Sequence, residues 1–518
     1  RPFGSPTGPK KTKKTKKLKR KKRKYKMSTG GIYQIIANDG KQDVLLVATD
    51  LLNKRLREIK KIRCKNPMVK DPMPTLVDIE KTHIFFLNAH FKPFVQTGYE
   101  YQTTLPTEGG RLGQTLIFSI PQYGDFFNDM VLHLRLTGLA PVVPGDKVKY
   151  CDYLGHKLCS LTQFEVNGNV IDEYDSDVLN FHYNFTVPED KKLSWNRCVG
   201  QEVPKLATLN QNPGVDNYRE RKFILDGNQT PKDSHPVVDL WIPLIFWFNL
   251  DTRLALPSIA IPYGQRFIKV LMARADEIAF GDGPGGGAYI PPQLSLAELY
   301  INNIFVNPEI HDIFIKRVGF AMIRVHRYQR NILQTGAGQV QLDQLKWPTE
   351  TFYIGVKPVV NVGTAENWWK LHFVTPVARA YPVAVPNLFP PPLDQLAFAD
   401  AHWYDTAPMI RRFSIETHGV KLYQSFPVEL YNQYIPYHYG QGYISSPIDP
   451  GAYMATLNFY PGVYQPSGYI NLSRSRELYF IYESDIISPT INGILQVVTI
   501  CINFLLISEG TAALRYNI

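Results

Sequence analysis

The chain has 518 residues, of which 44% are hydrophobic and 20% charged, so it is long enough for two or three domains and too apolar to be disordered throughout. Its net charge of +11 arises in residues 1–26, which hold 14 Lys and Arg residues and no acid; the remaining 43 basic and 46 acidic residues leave a body with a net charge of −3. Such a body has no net electrostatic attraction for duplex nucleic acid, which argues against a nucleic-acid-binding fold.

The segment "KKTKKTKKLKRKKRKYK" (Lys10–Lys26) is a block of like charge. Such blocks repel themselves and are expected to be disordered when free. Three interpretations stay open: a solvated arm, a segment foreign to the mature protein because Met27 is a plausible initiator, or an arm that binds a nucleic acid or a membrane surface. No apolar segment follows it, so no secretory signal is expected.

Residues 27–82 are predicted to form a small N-terminal base segment. Apolar residues recur at helical spacing between Leu51 and Arg63, with Asp50 as a candidate N-cap. Strand patterns dominate from about His83, beginning with the alternating run "MVLHLRLTGL".

Further strands are predicted in chain order. "TQFEVNGNVIDEY" indicates a hairpin, because Asn167-Gly168 tolerates positive φ at both turn positions. "LWIPLIFWFN" (Leu240–Asn249) and "FIKVLMA" (Phe267–Ala273) are typical of apolar strands. "NPEIHDIFIKR" (Asn307–Arg317) then predicts a helix, with Asn at the cap and Pro at the first helical position.

Strand patterns resume after this helix and end with "GILQVVTICINFLLI" (Gly493–Ile507), expected as one long buried strand or as two strands. This run is too short to cross a bilayer as a helix. The Pro-rich stretch Tyr381–Asp405 cannot be a central strand and is expected to be an excursion from a β scaffold. Many short strands on either side of one helix predict two β-domains with a junction near residue 310.

No motif for catalysis, cofactor binding or metal binding is found. The sequence lacks H-E-x-x-H, G-x-S-x-G and a Gly-rich phosphate loop followed by Lys-Ser or Lys-Thr, and its twelve histidines are scattered. The five cysteines form no C-x-x-C pair, which favours a reducing compartment. The acidic run "DEYDSD" (Asp172–Asp177) lacks the ligand spacing of a calcium loop and is expected to be an acidic surface turn. A protein without enzymatic activity, cofactor or metal is therefore predicted.

Several stretches together resemble the double jelly-roll major capsid proteins of nucleocytoplasmic large DNA viruses. "YQPSGYINLSRSRELYF" (Tyr464–Phe480) is similar to a C-terminal signature of that family; its Pro-Ser-Gly predicts a tight turn followed by an alternating strand. "ELYINNIFVNPEIHDIFIKRVGFAMIRVH" (Glu298–His326) resembles the crossing between the two barrels. "THIFFLNAHFKPFVQTGYEY" (Thr82–Tyr101) and "YIPYHYG" (Tyr434–Gly440) resemble the asfarvirus members, the African swine fever virus-like group.

This resemblance implies a mainly β fold, a double jelly-roll of two eight-stranded β-barrels side by side with a small N-terminal base segment. The implied boundaries are a basic tail at 1–26, a base segment at 27–82, jelly roll 1 at 83–306, a linking helix at 307–318 and jelly roll 2 at 319–518. The connections around Thr137–Tyr150 and Gln201–Asp239 look shorter than those of the African swine fever protein.

The resemblance also implies a structural role. Homotrimers would form pseudo-hexagonal capsomers that tile the icosahedral capsid of a large double-stranded DNA virus, assembled in the viral factory of the host cytoplasm. The implied partners are the chain itself, neighbouring capsomers, minor capsid and penton proteins, the internal virion membrane and a viral folding chaperone, with no sequence-specific nucleic acid. Contacts that lock the trimer are expected from four apolar side chains of the Pro-rich excursion, namely Leu388, Phe389, Leu396 and Phe398.

Two other classes of protein stay open on the sequence. A jelly-roll carbohydrate-binding or carbohydrate-active protein predicts a cleft with paired carboxylates and monomers that bind sugar. A nucleic-acid-binding protein predicts salt-sensitive DNA binding by a chain that starts at Met27.

Overall fold

A computed structural model describes residues 57, 60, 61, 97–201, 204–207, 222–225, 227–258, 261, 265–306, 320–377, 403–440, 442–475, 477–508 and 511–515. The predictions for the tail at 1–26, for the linking helix at 307–318, for the four apolar residues of the Pro-rich excursion and for nearly all of the base segment lie outside these residues. The chain divides into two units, Arg1–Thr97 with Val306–Pro308, and Gly98–Phe305 with Glu309–Ile518. All strands described below belong to the second unit.

Eight strands of the first half form two four-stranded sheets. They are β1 Gly98–Thr104, β2 Thr115–Ser119, β3 Phe126–Leu136, β4 Cys159–Val166, β5 Asn169–Asp175, β6 Val238–Pro243, β7 Arg266–Met272 and β8 Leu294–Phe305. One sheet has the order β1-β8-β3-β6 and the other β2-β7-β4-β5, with every pair antiparallel. The short strand Leu256–Pro257 also pairs with β3.

Eight strands of the second half repeat this arrangement. They are β9 Phe320–Leu333, β10 Ala337–Gln341, β11 Pro348–Pro358, β12 Arg412–Thr417, β13 Val420–Pro427, β14 Ala452–Thr456, β15 Leu478–Glu483 and β16 Gly493–Ser508. The sheet orders are β9-β16-β11-β14 and β10-β15-β12-β13, so each strand number is eight higher than in the first half. The two halves therefore share one jelly-roll topology, and the predicted double jelly-roll is confirmed.

Short elements occupy the connections. The helices are α1 Leu154–Leu158, α2 Ser176–Phe185, α3 Glu189–Cys198, α4 Trp247–Leu250, α5 Ala275–Ile278, α6 Val359–Val362 and α7 Ile435–Tyr439, with 3₁₀ turns at Thr252–Leu254 and Leu472–Arg474 and a π-helical turn at Leu430–Tyr434. The remaining strands pair as Ala140–Pro141 with Tyr289–Ile290, Lys147–Tyr150 with Ala279–Asp282, Pro204–Ala207 with Lys222–Leu225, His372–Val377 with Trp403–Pro408, Ile470–Asn471 with β11, and Thr511–Leu514 with β16. In the described part of the chain, every helix lacks the length and apolarity needed to cross a bilayer.

Period-two alternation gives each sheet an inner and an outer face. In β3, Leu132 and Leu134 are buried towards the core, whereas His133 and Arg135 lie on the outer face. One connected cluster of buried apolar side chains extends through both jelly rolls. The two barrels therefore share a continuous core.

Two hairpins turn in the same way in the two halves. Asn167 and Gly168 have φ values of 53° and 79° and join β4 to β5, which confirms the predicted hairpin. His418 and Gly419, with φ values of 49° and 73°, join β12 to β13 at the equivalent place. Both turns need a left-handed backbone at two successive residues, which glycine adopts without strain.

The predicted apolar strand Leu240–Asn249 is wrong beyond its first residues. Strand β6 ends at Pro243, whose nitrogen carries no hydrogen to donate to a ladder, and helix α4 follows. The side chain of Asn249 accepts a hydrogen bond from the backbone N–H of Phe246 at 3.1 Å and closes that turn. Apolar composition fixed the burial of this segment but not its backbone conformation.

The predicted strand after the Pro-Ser-Gly turn is interrupted. Only Ile470–Asn471 pairs as a strand, and the Asn471 side chain then accepts a hydrogen bond from the backbone N–H of Ser473 at 3.0 Å, which starts a 3₁₀ turn. Strand β15 begins afterwards, at Leu478. By contrast, the last apolar run is a single strand, β16.

Candidate functional interface between the two jelly rolls

Helix α2 leaves the first jelly roll and packs against the second. Asp175, at the end of β5, caps this helix: its Oδ1 accepts hydrogen bonds from the backbone N–H groups of Asp177 (3.0 Å) and Val178 (2.9 Å). An Asp at this position satisfies donors that a helix leaves unpaired at its start. The strand and cap place Asp172, Asp175 and Asp177, here called the carboxylate cluster, against the second jelly roll.

Asp172 binds the backbone and the ring of one residue in β9. Its Oδ1 accepts from the backbone N–H of His326 at 2.8 Å, and its Oδ2 lies 3.1 Å from Nδ1 of the same histidine. The carboxylate is fully buried. A buried carboxylate with fewer partners would be costly, so these two hydrogen bonds fix β5 against β9.

Asp177 and Asp175 bind side chains from three strands of the second jelly roll. Asp177 forms an ion pair with Lys357 of β11, lies 2.9 Å from Nη2 of Arg330 and accepts from Nε2 of Gln496 in β16 at 2.7 Å. Arg330, in β9, also forms an ion pair with Asp175. One helix start is thus held by β9, β11 and β16 together.

The two helix-start carboxylates differ in proton affinity. Burial, reinforced by the neighbouring charge of Asp177 and opposed by Arg330, raises the pKa of Asp175 to about 6. Burial also acts to raise the pKa of Asp177, but the charges of Lys357 and Arg330 outweigh it and hold that pKa below its usual value. Asp177 therefore stays ionised in mildly acidic solution while Asp175 takes up a proton.

Aromatic packing extends the contact along α2. The rings of Phe181 and Phe185 stack against Tyr353 of β11, with centroid distances of 6.3 and 4.9 Å. Beside them, Gly355 allows the helix to approach: a Cβ there would lie 3.1 Å from Cζ of Phe181 and 2.6 Å from Cδ1 of Leu371. The absence of a side chain at this position is a requirement of the interface.

The C-terminal end of α2 binds a loop of the second jelly roll. The side-chain oxygen of Asn184 accepts from the backbone N–H groups of Ile448 (3.1 Å) and Asp449 (3.3 Å). The backbone N–H of Ser445 donates to the Phe185 carbonyl at 2.7 Å. Both ends of the helix are therefore anchored in the partner barrel.

Contacts outside α2 also join the two barrels. Nε1 of Trp368 donates to the Asp152 carbonyl at 2.6 Å, and Nε1 of Trp369 lies 3.3 Å from the Asp152 carboxylate. The guanidinium of Arg253 lies over the ring of Tyr464, 4.1 Å from its centroid. Together with α2, these contacts make the two barrels one block.

This interface can transmit force and fix orientation. Its charged groups are engaged with one another across the barrel boundary. Among the residues that the structure describes, no three His, Cys, Asp or Glu side chains are grouped so that they could hold a metal ion.

The expectation of an acidic surface turn at Asp172–Asp177 is wrong. Burial of these carboxylates requires cations that come from strands far away in sequence, and a local pattern does not show them. A signal was present on the other side: Lys357 is the one charged residue of "TFYIGVKP", and it is buried. A buried lysine requires a nearby carboxylate.

Comparisons with known proteins agree with this architecture. A family model described as "Major capsid protein N-terminus" matches residues 99–307. The hexon protein p72 of African swine fever virus (strain Badajoz 1971 Vero-adapted) is 33% identical to this chain, over 95% of the chain and the full length of p72. This chain belongs to the viral major capsid protein family.

Solved structures of viral capsid proteins superpose on this chain and have the same fold. The Faustovirus major capsid protein is 33% identical and superposes with a TM-score of 0.71, covering 91% of this chain and all of that one. The capsid protein in the quasi-atomic model of the PBCV-1 virus capsid is 17% identical with a TM-score of 0.60, covering 84% of this chain and all of that one, and supports the fold alone. The predicted membership of the major capsid proteins of nucleocytoplasmic large DNA viruses is confirmed.

The major capsid protein relatives also bear on the carbohydrate-binding alternative and on the length of the connections between strands. Their names give no support to the carbohydrate-binding alternative. The alignment with p72 extends over 647 positions, so at least 129 of them are gaps in this chain of 518 residues. This agrees with the expectation that this chain has shorter connections than p72.

Proposed function

We propose that three copies of this major capsid protein form a pseudo-hexagonal capsomer that tiles an icosahedral capsid. The observation that carries the proposal is the buried interface between two jelly rolls of identical topology. Two similar barrels fixed side by side give one chain two sixths of a hexagonal outline, and three such chains complete it with C₃ symmetry. A role as a building block requires this rigidity and no catalytic step.

The remaining parts of the proposal concern partners and place. Neighbouring capsomers, minor capsid and penton proteins and the internal virion membrane are the proposed partners, and the virion, assembled in a cytoplasmic viral factory, is the proposed location. We assign the jelly rolls to 83–306 and 319–518, with a linking helix at 307–318; the described strands from Gly98 to Phe305 and from Phe320 to Leu514 support this division. A viral chaperone is the proposed folding aid.

Light scattering after size-exclusion chromatography tests the trimer. The chain has a mass of 59.1 kDa, and the expected species has three times that mass at micromolar concentration. Negative-stain images of the same peak should show a hexagonal outline with three-fold symmetry. A well-folded chain that stays monomeric would contradict the proposal.

A further inference from the structure

A cluster of aromatic rings around one buried histidine holds helix α3 against α1 and α2. His156, in α1, has no exposed surface. Its ring packs against those of Tyr153, Tyr183 and Trp195, with centroid distances of 5.4, 6.1 and 5.8 Å. Tyr153 immediately precedes α1, Tyr183 belongs to α2 and Trp195 to α3. These four residues, here called the histidine seam, therefore join three helices of the first jelly roll.

Both nitrogens of the His156 ring have hydrogen-bonding partners, and these partners determine where the ring carries its proton. Nε1 of Trp195 donates to Nε2 of His156 at 2.9 Å. Because an indole nitrogen can only donate, Nε2 must be an unprotonated acceptor. Nδ1 therefore carries the hydrogen and donates it to Oδ1 of Asn180, also at 2.9 Å. This arrangement requires a neutral imidazole in a single tautomer.

A second proton on the His156 ring would break its contact with α3. The proton would bind Nε2, so two N–H donors would face each other where Trp195 now donates, and a buried donor without an acceptor is costly. Burial accordingly lowers the pKa of His156 to about 4, against an opposing effect of the hydrogen bond to Asn180. A ring that reaches water regains the ordinary pKa of 6.5 and binds the proton more tightly. Acid therefore favours the separation of Trp195 from His156.

The charged and titratable groups around the histidine seam do not offset this response. The ring of His182, in α2, lies 5.6 Å from that of Trp195, and burial, followed by the charges of His326 and His156, lowers the pKa of His182 to about 3. The other groups on the surrounding elements are Asp152 and Lys157 beside and in α1, Glu189 and Lys192 in α3, Glu277 in α5, and Asp172 in β5. Each acid in this list binds a side chain other than His156. A second proton on His156 therefore finds no counter-ion among these groups.

Helix α3 has few other buried contacts, so the loss of one matters. Lys192 is its only fully buried residue; it pairs with Glu189 at 2.7 Å and lies over the ring of Tyr183. Trp195 is half-buried, and most of the remaining residues of α3 are exposed. Helix α2, by contrast, is anchored in the second jelly roll at both ends. The histidine seam is therefore a large share of what holds α3.

We infer that the histidine seam is a proton-sensitive latch: neutral His156 holds α3, and protonated His156 releases Trp195 so that α3 separates from α1 and α2. The contact between the barrels responds differently to acid, because Asp177 stays ionised and Asp175 takes up a proton. Acid therefore loosens α3 while the two jelly rolls remain joined. The latch lies within a single chain and does not depend on the proposed trimer.

Hydrogen exchange of the full chain, followed by mass spectrometry, tests the latch with α2 as an internal reference. Proton linkage between the exposed ring, with a pKa of 6.5, and the buried ring, with a pKa of about 4, makes the opening of α3 about 20-fold more favourable at pH 5 than at pH 7. The protection factors of the α3 amides, corrected for the intrinsic effect of pH on exchange, should fall by this factor. Those of the α2 amides should not fall.

Two variants and a control identify the groups that respond. His156→Gln keeps an oxygen that can accept from Trp195 but has no basic nitrogen, so the protection of α3 should no longer depend on pH. Trp195→Phe removes the donor at a half-buried position and should lower the protection of α3 already at pH 7. His418→Asn is the matched control: His418 is an exposed histidine with a left-handed backbone, which Asn tolerates, and this variant should keep the full response.

Three results would overturn the latch. The first is equal protection of α3 at pH 5 and pH 7 in the parent chain, and the second is a pH response that persists in His156→Gln. The third is parental protection of α3 at pH 7 in Trp195→Phe, a variant that decides the question even where His156→Gln does not fold. Each of these results leaves the proposed trimer standing, because light scattering tests the trimer separately.

Discussion

At the scale of single residues, the stability of the block depends on charges that are buried in pairs. Replacing one member of a buried pair usually costs more than the intact pair contributes, because the remaining charge keeps its desolvation cost. Asp177 illustrates this, since its partners Lys357 and Gln496 come from two different strands of the second jelly roll.

We predict that Asp177→Asn destabilises the protein by about 3–5 kcal/mol, because it leaves Lys357 buried without a full counter-charge. The measurement is the shift in the denaturant midpoint of the purified protein. Asp276→Asn is the control: Asp276 pairs with Arg274 at the surface, where the loss should stay below about 1 kcal/mol. Equal losses in the two variants would contradict the assignment.

Asp175 gives a prediction on pH. Its folded-state pKa of about 6 lies above the unfolded value of about 4, so between these values the folded protein binds more protons and this group adds stability as the pH falls. Asp175→Asn keeps an acceptor for the helix cap but cannot titrate. The stability of the parent chain relative to this variant should rise by up to about 3 kcal/mol from pH 7 to pH 4, measured by urea unfolding at each pH. A difference that does not change with pH would refute the assignment.

At the scale of elements, the interface depends on how closely α2 approaches β11. Gly355→Val is expected to cost about 1–3 kcal/mol, because the new side chain would overlap Phe181 and Leu371 in a packed region. The control is Gly363→Ala, where no atom lies within 4 Å of the added Cβ. The melting temperature reports both effects, and a Gly355→Val chain as stable as the control would show that α2 can move away at little cost.

Elements whose conformation depends on residues that are close in the sequence could be predicted correctly. The Asn167-Gly168 hairpin and the final strand β16 follow from turn chemistry and from an unbroken apolar run. The segment Leu240–Asn249 was predicted wrongly because apolar residues suit a buried helix as well as a buried strand, and a side-chain hydrogen bond at Asn249 decided the outcome. The carboxylate cluster could not be placed, because its cations lie on strands that only the tertiary fold brings near.

At the scale of the whole molecule, charge is divided between the N-terminal segment and the body. Removing residues 1–26 takes away 14 cations and changes the net charge from +11 to −3. A chain that starts at Met27 should lose its retention on a heparin column at low salt and keep its oligomeric mass, because binding to polyanions follows the number of cations. Retention of the shortened chain equal to that of the full chain would place the cationic surface in the body instead.

The sequence separation across the interface has a consequence for synthesis. The hydrogen bond between Gln496 and Asp177 joins residues 319 positions apart. At about 5–20 residues per second, a ribosome takes roughly 15–60 s to supply the missing donor. Until then, the carboxylates and the two phenyl rings of α2 lack their partners from the second jelly roll. A prematurely terminated chain is therefore expected to aggregate through these apolar groups.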